Sequence, residues 1–248
     1  MTRSTSTTST TIDVRSASSR YTTDIGWLHS EHSFSFGSHH DAGNTGHGLL
    51  IVSNDDRVAP GGGFGAHGHR DMEIVTWVLE GELEHRDSAG HQGVLYPGLA
   101  QRMSAGSGIQ HSEMNASTTK PVHFIQMWVV PDTRGIRPGY EQRDMNDALA
   151  AGGLVPIASG KGHANTITIH QSGAAMHVAR LQETETITIP DSPFVHVFVA
   201  HGAVELGDNA RPLAEGDAAR LTDAGPITLT AKSATEVIVW ESDTEVQR

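Results

Sequence analysis

Two short runs, His67-Gly68-His69 and His111-Ser112-Glu113, hold the side chains of this sequence best suited to metal chemistry. In each, two ligand-type residues stand at positions i and i+2. On a β-strand that spacing puts both side chains on one face. Two neighbouring strands that each aim such a pair inward bring three imidazoles and one carboxylate to a single point. That set suits one first-row divalent metal, with one or two positions left for water, oxygen or substrate.

The chain has 16 histidines in 248 residues, so an isolated H-x-H could arise by chance in a surface loop. The flanking residues argue for strands instead. Gly61 precedes the first pair, and Glu73-Ile74-Val75-Thr76-Trp77-Val78-Leu79 follows it, closed by Gly81. Such a β-branched and aromatic run is typical of a buried strand. Gly93-Val94-Leu95-Tyr96-Pro97-Gly98 then reads as a strand entering a tight turn. Glycine-bounded strands carrying H-x-H, a Pro-Gly turn and a further histidine resemble the two-part pattern of the cupin barrel.

The resemblance narrows further. The run from His67 through Arg70, Asp71, Met72 and Glu73 to Gly81 resembles the first motif of the pirin family. Met103-Ser104-Ala105-Gly106-Ser107-Gly108-Ile109-Gln110-His111-Ser112-Glu113 resembles its second. Gly26-Trp27-Leu28, His32-Ser33-Phe34-Ser35-Phe36, Gln126-Met127-Trp128-Val129 and Tyr140-Glu141-Gln142-Arg143 also match. The likeness is specific from about Asp24 to Arg143 and weaker beyond, and it is closest to bacterial pirins of the quercetin 2,3-dioxygenase type. One departure is Gly68, where many relatives carry proline between the two histidines.

Length and composition set bounds. The chain allows one large or two small domains, and 37% hydrophobic content can fill real cores. No apolar run approaches the roughly 18 residues that span a bilayer, and no signal-peptide core is present. A soluble, cytoplasmic, monomeric protein is expected. Cysteine is absent, which excludes disulfides and thiolate ligation. A net charge of −12 argues against direct nucleic-acid binding.

The C-terminal part hides a repeat. Gly202-Ala203-Val204-Glu205-Leu206 echoes Gly81-Glu82-Leu83-Glu84-His85, and Leu213 to Leu221 echoes Leu95 to Met103. Projecting the two ligand pairs through that repeat lands on Thr188, Pro190, Leu229 and Ala231, none of which ligates through its side chain. The expected fold is therefore all-β: a bicupin of two double-stranded β-helix (jelly-roll) barrels, the first metal-binding and the second degenerate. The expected organisation is a disordered Ser/Thr-rich tail over 1–11, a first cupin over 12–135, a connector over 136–160 and a second cupin over 161–248. A short helix is expected around Asp144 to Ala151.

The carboxylate ligand is open between two residues. Glu73 lies four residues from His69 and is read as sharing its face, whereas the pirin resemblance implies Glu113, which must share a face with His111. With Glu113 as ligand, Glu73 becomes a hydrogen-bond partner of a ligand imidazole or an ion-pair partner of a nearby base. His85 and His91 flank the Asp87-Ser88-Ala89-Gly90 hairpin and are expected to face solvent. His39 and His40 are expected in a loop. His123 cannot be assigned a face. His163, His170, His177, His196 and His201 read as surface or packing residues.

The resemblance implies an Fe(II)-type dioxygenase that opens a flavonol such as quercetin across C2–C3 with O2 and releases carbon monoxide, with Glu113 as general base. Mn, Ni, Co, Cu and Zn also suit the ligand set. The rival reading keeps the same metal ligands, His67, His69, His111 and Glu113, in a non-enzymatic iron-binding regulator that acts through a protein partner, a transcription factor or a metabolic enzyme. A cupin isomerase or sugar-binding module fits the fold but not the pirin-like runs.

Overall fold

The computed structural model describes residues 10–246, and nearly all of its regular structure is extended. The earlier strands are β1 (Thr11–Arg15), β2 (Tyr21–Asp24), β3 (Leu28–His32), β4 (Leu50–Val58), β5 (Gly63–His69), β6 (Glu73–Glu80), β7 (Leu83–Asp87), β8 (Gln92–Leu95), β9 (Leu99–Ser104), β10 (Ile109–Asn115), β11 (Val122–Val129) and β12 (Gly139–Asp144). A short helix, α1 (Asn146–Ala150), falls where one was expected. The later strands are β13 (Val155–Ser159), β14 (Ile167–Thr168), β15 (Ala174–Leu181), β16 (Thr186–Ile189), β17 (Phe194–His201), β18 (Ala203–Leu206), β19 (Arg211–Ala214), β20 (Ala218–Thr222), β21 (Ile227–Ala231) and β22 (Thr235–Ser242). No described helix is long and apolar enough to cross a membrane.

Four sheets result, and they form two matching pairs. A seven-stranded sheet ordered β12-β9-β6-β11-β4-β3-β2 belongs with the four-stranded β5-β10-β7-β8. The second pair is β1-β20-β17-β22-β15-β13-β14 with β16-β21-β18-β19. Read side by side, β9, β6, β11 and β4 correspond to β20, β17, β22 and β15, and β5-β10-β7-β8 to β16-β21-β18-β19. The repeat seen in the sequence is thus a repeat of structure. Gly81 and Gly202 take φ of 79° and 83°, and Gly98 and Gly216 take 91° and 82°. Each marks the same turn in its half, where only glycine avoids a Cβ penalty. Two seven-plus-four barrels make this an all-β bicupin.

Sheet membership crosses the expected domain limits. β1 pairs antiparallel with β20, Thr11 opposite Thr222, so the first described strand belongs to the second barrel's sheet. The segment expected as a connector supplies β12 to the first sheet and β13 to the second. The physical reason is the open edge beside β9 and β20: each is closed by a strand brought from outside its own repeat. Most of the expected 1–11 tail lies outside the described residues, but Thr11 already opens β1.

Four buried apolar clusters follow from strand alternation, the smallest made of Ile74, Met103, Ala105 and Ile109. One fills the first barrel with Leu28, Val58, Val78, Leu83 and Phe124; another fills the second with Val197, Val199, Leu229 and Val239. The largest lies between the two seven-stranded sheets and draws on both halves. Trp77 and Trp240 anchor it, almost fully buried. Trp77 Nε1 donates to Glu236 at 2.7 Å and Trp240 Nε1 meets Met127 Sδ at 3.1 Å, so each indole reaches into the other half. Trp240→Ala is expected to lower stability by about 3–5 kcal/mol. Urea unfolding should show it as a lower midpoint at unchanged slope.

Candidate metal centre

β5 and β10 lie side by side in the four-stranded sheet, with His111 opposite His67 and Ile109 opposite His69. The register then shifts, because Glu113 stands opposite Phe64: three steps along β5 match two along β10. The extra residue in β5 is a bulge. It lets Phe64 and His67, three apart, face one cavity, and it leaves the Gly65 carbonyl 2.8 Å from His67 Nδ1. That nitrogen donates to the carbonyl, so Nε2 of His67 presents its lone pair inward. Gly63 permits the close approach, since a Cβ there would sit 2.5 Å from the Glu113 carbonyl oxygen. At Gly68 a Cβ would meet only ordinary contacts, so a larger residue would fit between the two histidines.

The donor atoms converge. His67 Nε2 and His111 Nε2 are 3.1 Å apart, and the donor atoms of His67, His69 and His111 all lie within 4.8 Å of one another. Glu113 Oε2 is 3.9 Å from His111 Nε2. The Glu113 carboxylate is buried and held by Gln126 Nε2, which donates to both oxygens at 2.9 and 2.7 Å. Gln126 Oε1 in turn accepts from Trp128 Nε1 at 3.2 Å, and the Trp128 ring stands edge-on to His69. His69 Nε2 is buried with no hydrogen-bond partner in the structure. Such an orphan is costly unless something else fills its lone pair. A divalent cation among these nitrogens and the carboxylate does so, and the residues present therefore fit one.

Burial sets the charge state. Desolvation, then the neighbouring His67, holds His69 down to about 4; desolvation and the surrounding imidazoles hold His111 down to about 2. Both rings are neutral at neutral pH, the form that ligates. Burial raises Glu113, and Gln126 opposes that shift. Asp56 is pushed up to about 7 by burial first, then by the charges of Glu113 and Asp55.

A cavity of about 350 Å³ opens in front of the cluster, within the usual range for small-molecule sites. Its walls are Leu28, Phe36, Phe64 and Trp128, with Ser30, His32 and Asp56 as polar points. A larger hollow of about 630 Å³ lies between the two seven-stranded sheets. It is lined by ion-paired side chains such as Arg57, Arg180 and Glu236, and the His67 cluster is not part of it. His123 belongs there, 2.6 Å from Asp55.

Two sequence expectations need correction. Glu73 does not share a face with His69. Asp71 takes a positive φ of 51°, the chain passes from one sheet to another, and the alternation restarts. Glu73 points away from the cluster and accepts from Ser104 Oγ at 2.9 Å and from the His170 backbone at 3.1 Å. His85 is not solvent-facing but fully buried, its ring centroid 5.4 Å from that of His111 and its Nε2 3.4 Å from Asp87. The alternation Leu83-x-His85-x-Asp87 was the available signal, with Glu84 and Arg86 paired on the outer face. His91, by contrast, is partly exposed and bound to Asp87. Gln126 and Asp56 were not singled out by sequence and had no distinguishing pattern.

In the second barrel the inward positions of β16 and β21 carry Ile187, Ile189, Leu229 and Ala231. Thr188, one of the projected positions, faces outward. An apolar filling thus stands where the first barrel has its imidazoles.

A bicupin whose first barrel carries an imidazole–carboxylate cluster where the second has apolar side chains is the class that fold and site define. Family models described as Pirin and as Quercetinase C-terminal cupin domain match residues 13–129 and 156–241. The chain belongs to the pirin family. It is 55% identical over 232 residues to a Mycobacterium tuberculosis protein named "Putative quercetin 2,3-dioxygenase", covering 93% of this chain and 95% of that one. It is 36% identical to the quercetin 2,3-dioxygenase of Escherichia coli K12, covering 93% and 98%. A bacterial pirin from Escherichia coli, solved in complex with nickel(II), superposes with a TM-score of 0.86 at 35% identity, over 95% of this chain and all of that one.

The buried neutral rings give a pH prediction. Below the ordinary value of 6.5 the unfolded chain protonates at His69 and His111, while the folded chain does not. Stability of the metal-free protein should therefore fall as pH drops from about 6.5 toward about 4. Buried His196, also held low by desolvation, adds the same sign, while Asp56, raised to about 7, and Glu113, also raised, oppose it as two carboxylates against these three imidazoles. Thermal melts across that window should show the decline, and His111→Asn should flatten it.

Proposed function

We propose that this protein is a metal-dependent flavonol dioxygenase of the quercetinase type, with His67, His69, His111 and Glu113 holding one divalent metal, Fe(II) in the working enzyme. The observation that carries this reading is the buried, unpartnered His69 Nε2 beside two converging imidazoles, at the floor of a largely apolar cavity. The names and the nickel(II) complex of its relatives support a quercetinase-like role and a divalent ion.

The metal supplies a centre at which an electron-rich enolate and dioxygen can exchange electrons. The chain supplies the rest. Phe36, Phe64 and Trp128 bind a flat aromatic substrate and exclude water. Glu113, kept in place by Gln126, accepts the proton of the substrate 3-hydroxyl. Asp56, near neutrality, is a second group in the same cavity able to carry a proton.

The test is anaerobic reconstitution with Fe(II), followed by oxygen-uptake and carbon-monoxide assays over a panel of flavonols and other enolisable aromatics. Protein that holds Fe(II) yet consumes no oxygen with any of them would sink the enzymatic reading in favour of a regulatory one. His67→Ala, His69→Ala and His111→Ala should each remove most of the reconstituted iron, read by metal analysis. Glu113→Gln should keep much of the iron while oxygen consumption falls by roughly 10²–10⁴-fold, as for a lost general base. Near-native turnover in that variant would move the base elsewhere, with Asp56 the next group to test.

A further inference from the structure

The second barrel has no counterpart of the first site, but a different set of donors meets at one end of its interior. His177 on β15 and Glu241 on β22 lie on the same sheet face as Ala179, Val237 and Val239, which fill that barrel. Both are buried. His163, on the loop between β13 and β14, closes over them, its ring centroid 5.3 Å from that of His177 and nearly perpendicular to it. One donor atom from each of the three lies within 4.8 Å of the other two. From these contacts we infer that His163, His177 and Glu241 form a second site for a divalent cation of zinc-like softness, independent of the function proposed for the first barrel.

Two imidazoles and one carboxylate match Zn(II), Co(II) or Ni(II) rather than Mg(II) or Ca(II), which take all-oxygen shells. Three protein donors leave a fourth position for water, as in open zinc sites. Bonds of about 2.0–2.1 Å place tetrahedral donors about 3.4 Å apart. His177 Nε2 and Glu241 Oε1 are already 2.9 Å apart, so the buried pair needs only a small opening. The remaining adjustment falls on exposed His163, on the loop beside Gly162. Ser159 Oγ, 2.8 Å from His163 Nδ1, steadies that ring. Metal binding through Nε2 of His177 moves its proton to Nδ1.

The charge balance also permits a cation. Glu241 meets His177 through one carboxylate oxygen and a lysine through the second. Lys161 Nζ bonds the other carboxylate oxygen at 2.8 Å and Asp243 at 2.6 Å. Two carboxylates against one ammonium leave a net negative charge beside two imidazoles. Lys161 thus orients the carboxylate without neutralising the cluster, and it weakens the site by repulsion. The repeat could not reveal this cluster, because its residues are not the equivalents of the first barrel's ligands.

The experiment uses untagged, chelator-treated, full-length protein with the first site removed by His67→Ala and His111→Ala. Co(II) titration followed by visible absorption, and Zn(II) equilibrium dialysis with metal analysis, should each give about one bound equivalent. Adding His163→Ala, on an exposed loop where folding is not at risk, should abolish it, as should Glu241→Gln. Lys161→Gln should tighten binding by about tenfold, since it removes a like charge next to the metal. No bound equivalent at severalfold molar excess would overturn the proposal. So would an equivalent that survives both His163→Ala and Glu241→Gln, or binding that weakens in Lys161→Gln.

Discussion

The centre of the first barrel depends on one irregular step in β5. Strict alternation would put Phe64 on the opposite face from His67, and the cavity would lose an aromatic wall. The bulge opposite Ser112 resets the pleat, so that Phe64, His67 and His69 all face inward while His111 and Glu113 keep ordinary spacing on β10. The same irregularity sets the Gly65 carbonyl against the His67 ring and fixes its tautomer. A backbone feature with no chemistry of its own thereby decides which nitrogen lone pair is available, and from that follows the convergence of donors.

The two barrels divide work through what fills them. The second packs sixteen buried apolar residues in one cluster, against eight in the main cluster of the first. The first gives up packing for a cavity and for buried polar groups that desolvation keeps near neutrality. Such groups destabilise a small barrel standing alone. Packing the two seven-stranded sheets against each other through Trp77 and Trp240 offsets that cost. The second barrel is therefore part of what holds the first in shape.

Much of the architecture was legible because alternation and glycine turns are local. The i, i+2 pairs put His67 with His69 and His111 with Glu113, and the repeated turns at Gly81/Gly202 and Gly98/Gly216 gave away the second barrel. What could not be read were changes of sheet. Glu73 looked like a neighbour of His69 because nothing in Arg70-Asp71-Met72 announces a left-handed residue that restarts the alternation. His85 was hidden by polar neighbours that made a buried strand look like a solvent hairpin. The meeting of His163, His177 and Glu241, and the pairing of β1 with β20, join residues far apart along the chain, and no local pattern encodes such contacts.

That last pairing has a consequence for how the molecule comes into being. Thr11 finds its partner only at Thr222, and no other strand of the first barrel's sheet pairs with β1 in the described structure. At ribosomal speeds of about 5–20 residues per second, roughly 10–40 seconds separate the emergence of the two partners. Throughout that interval β1 lacks the strand it pairs with. Ile12 and Val14 alternate with Asp13 and Arg15, so the waiting strand carries charge along its length and is a poor template for a neighbouring nascent chain. The pairing of β1 thus waits for a distant partner, and the sequence of that strand is suited to the delay.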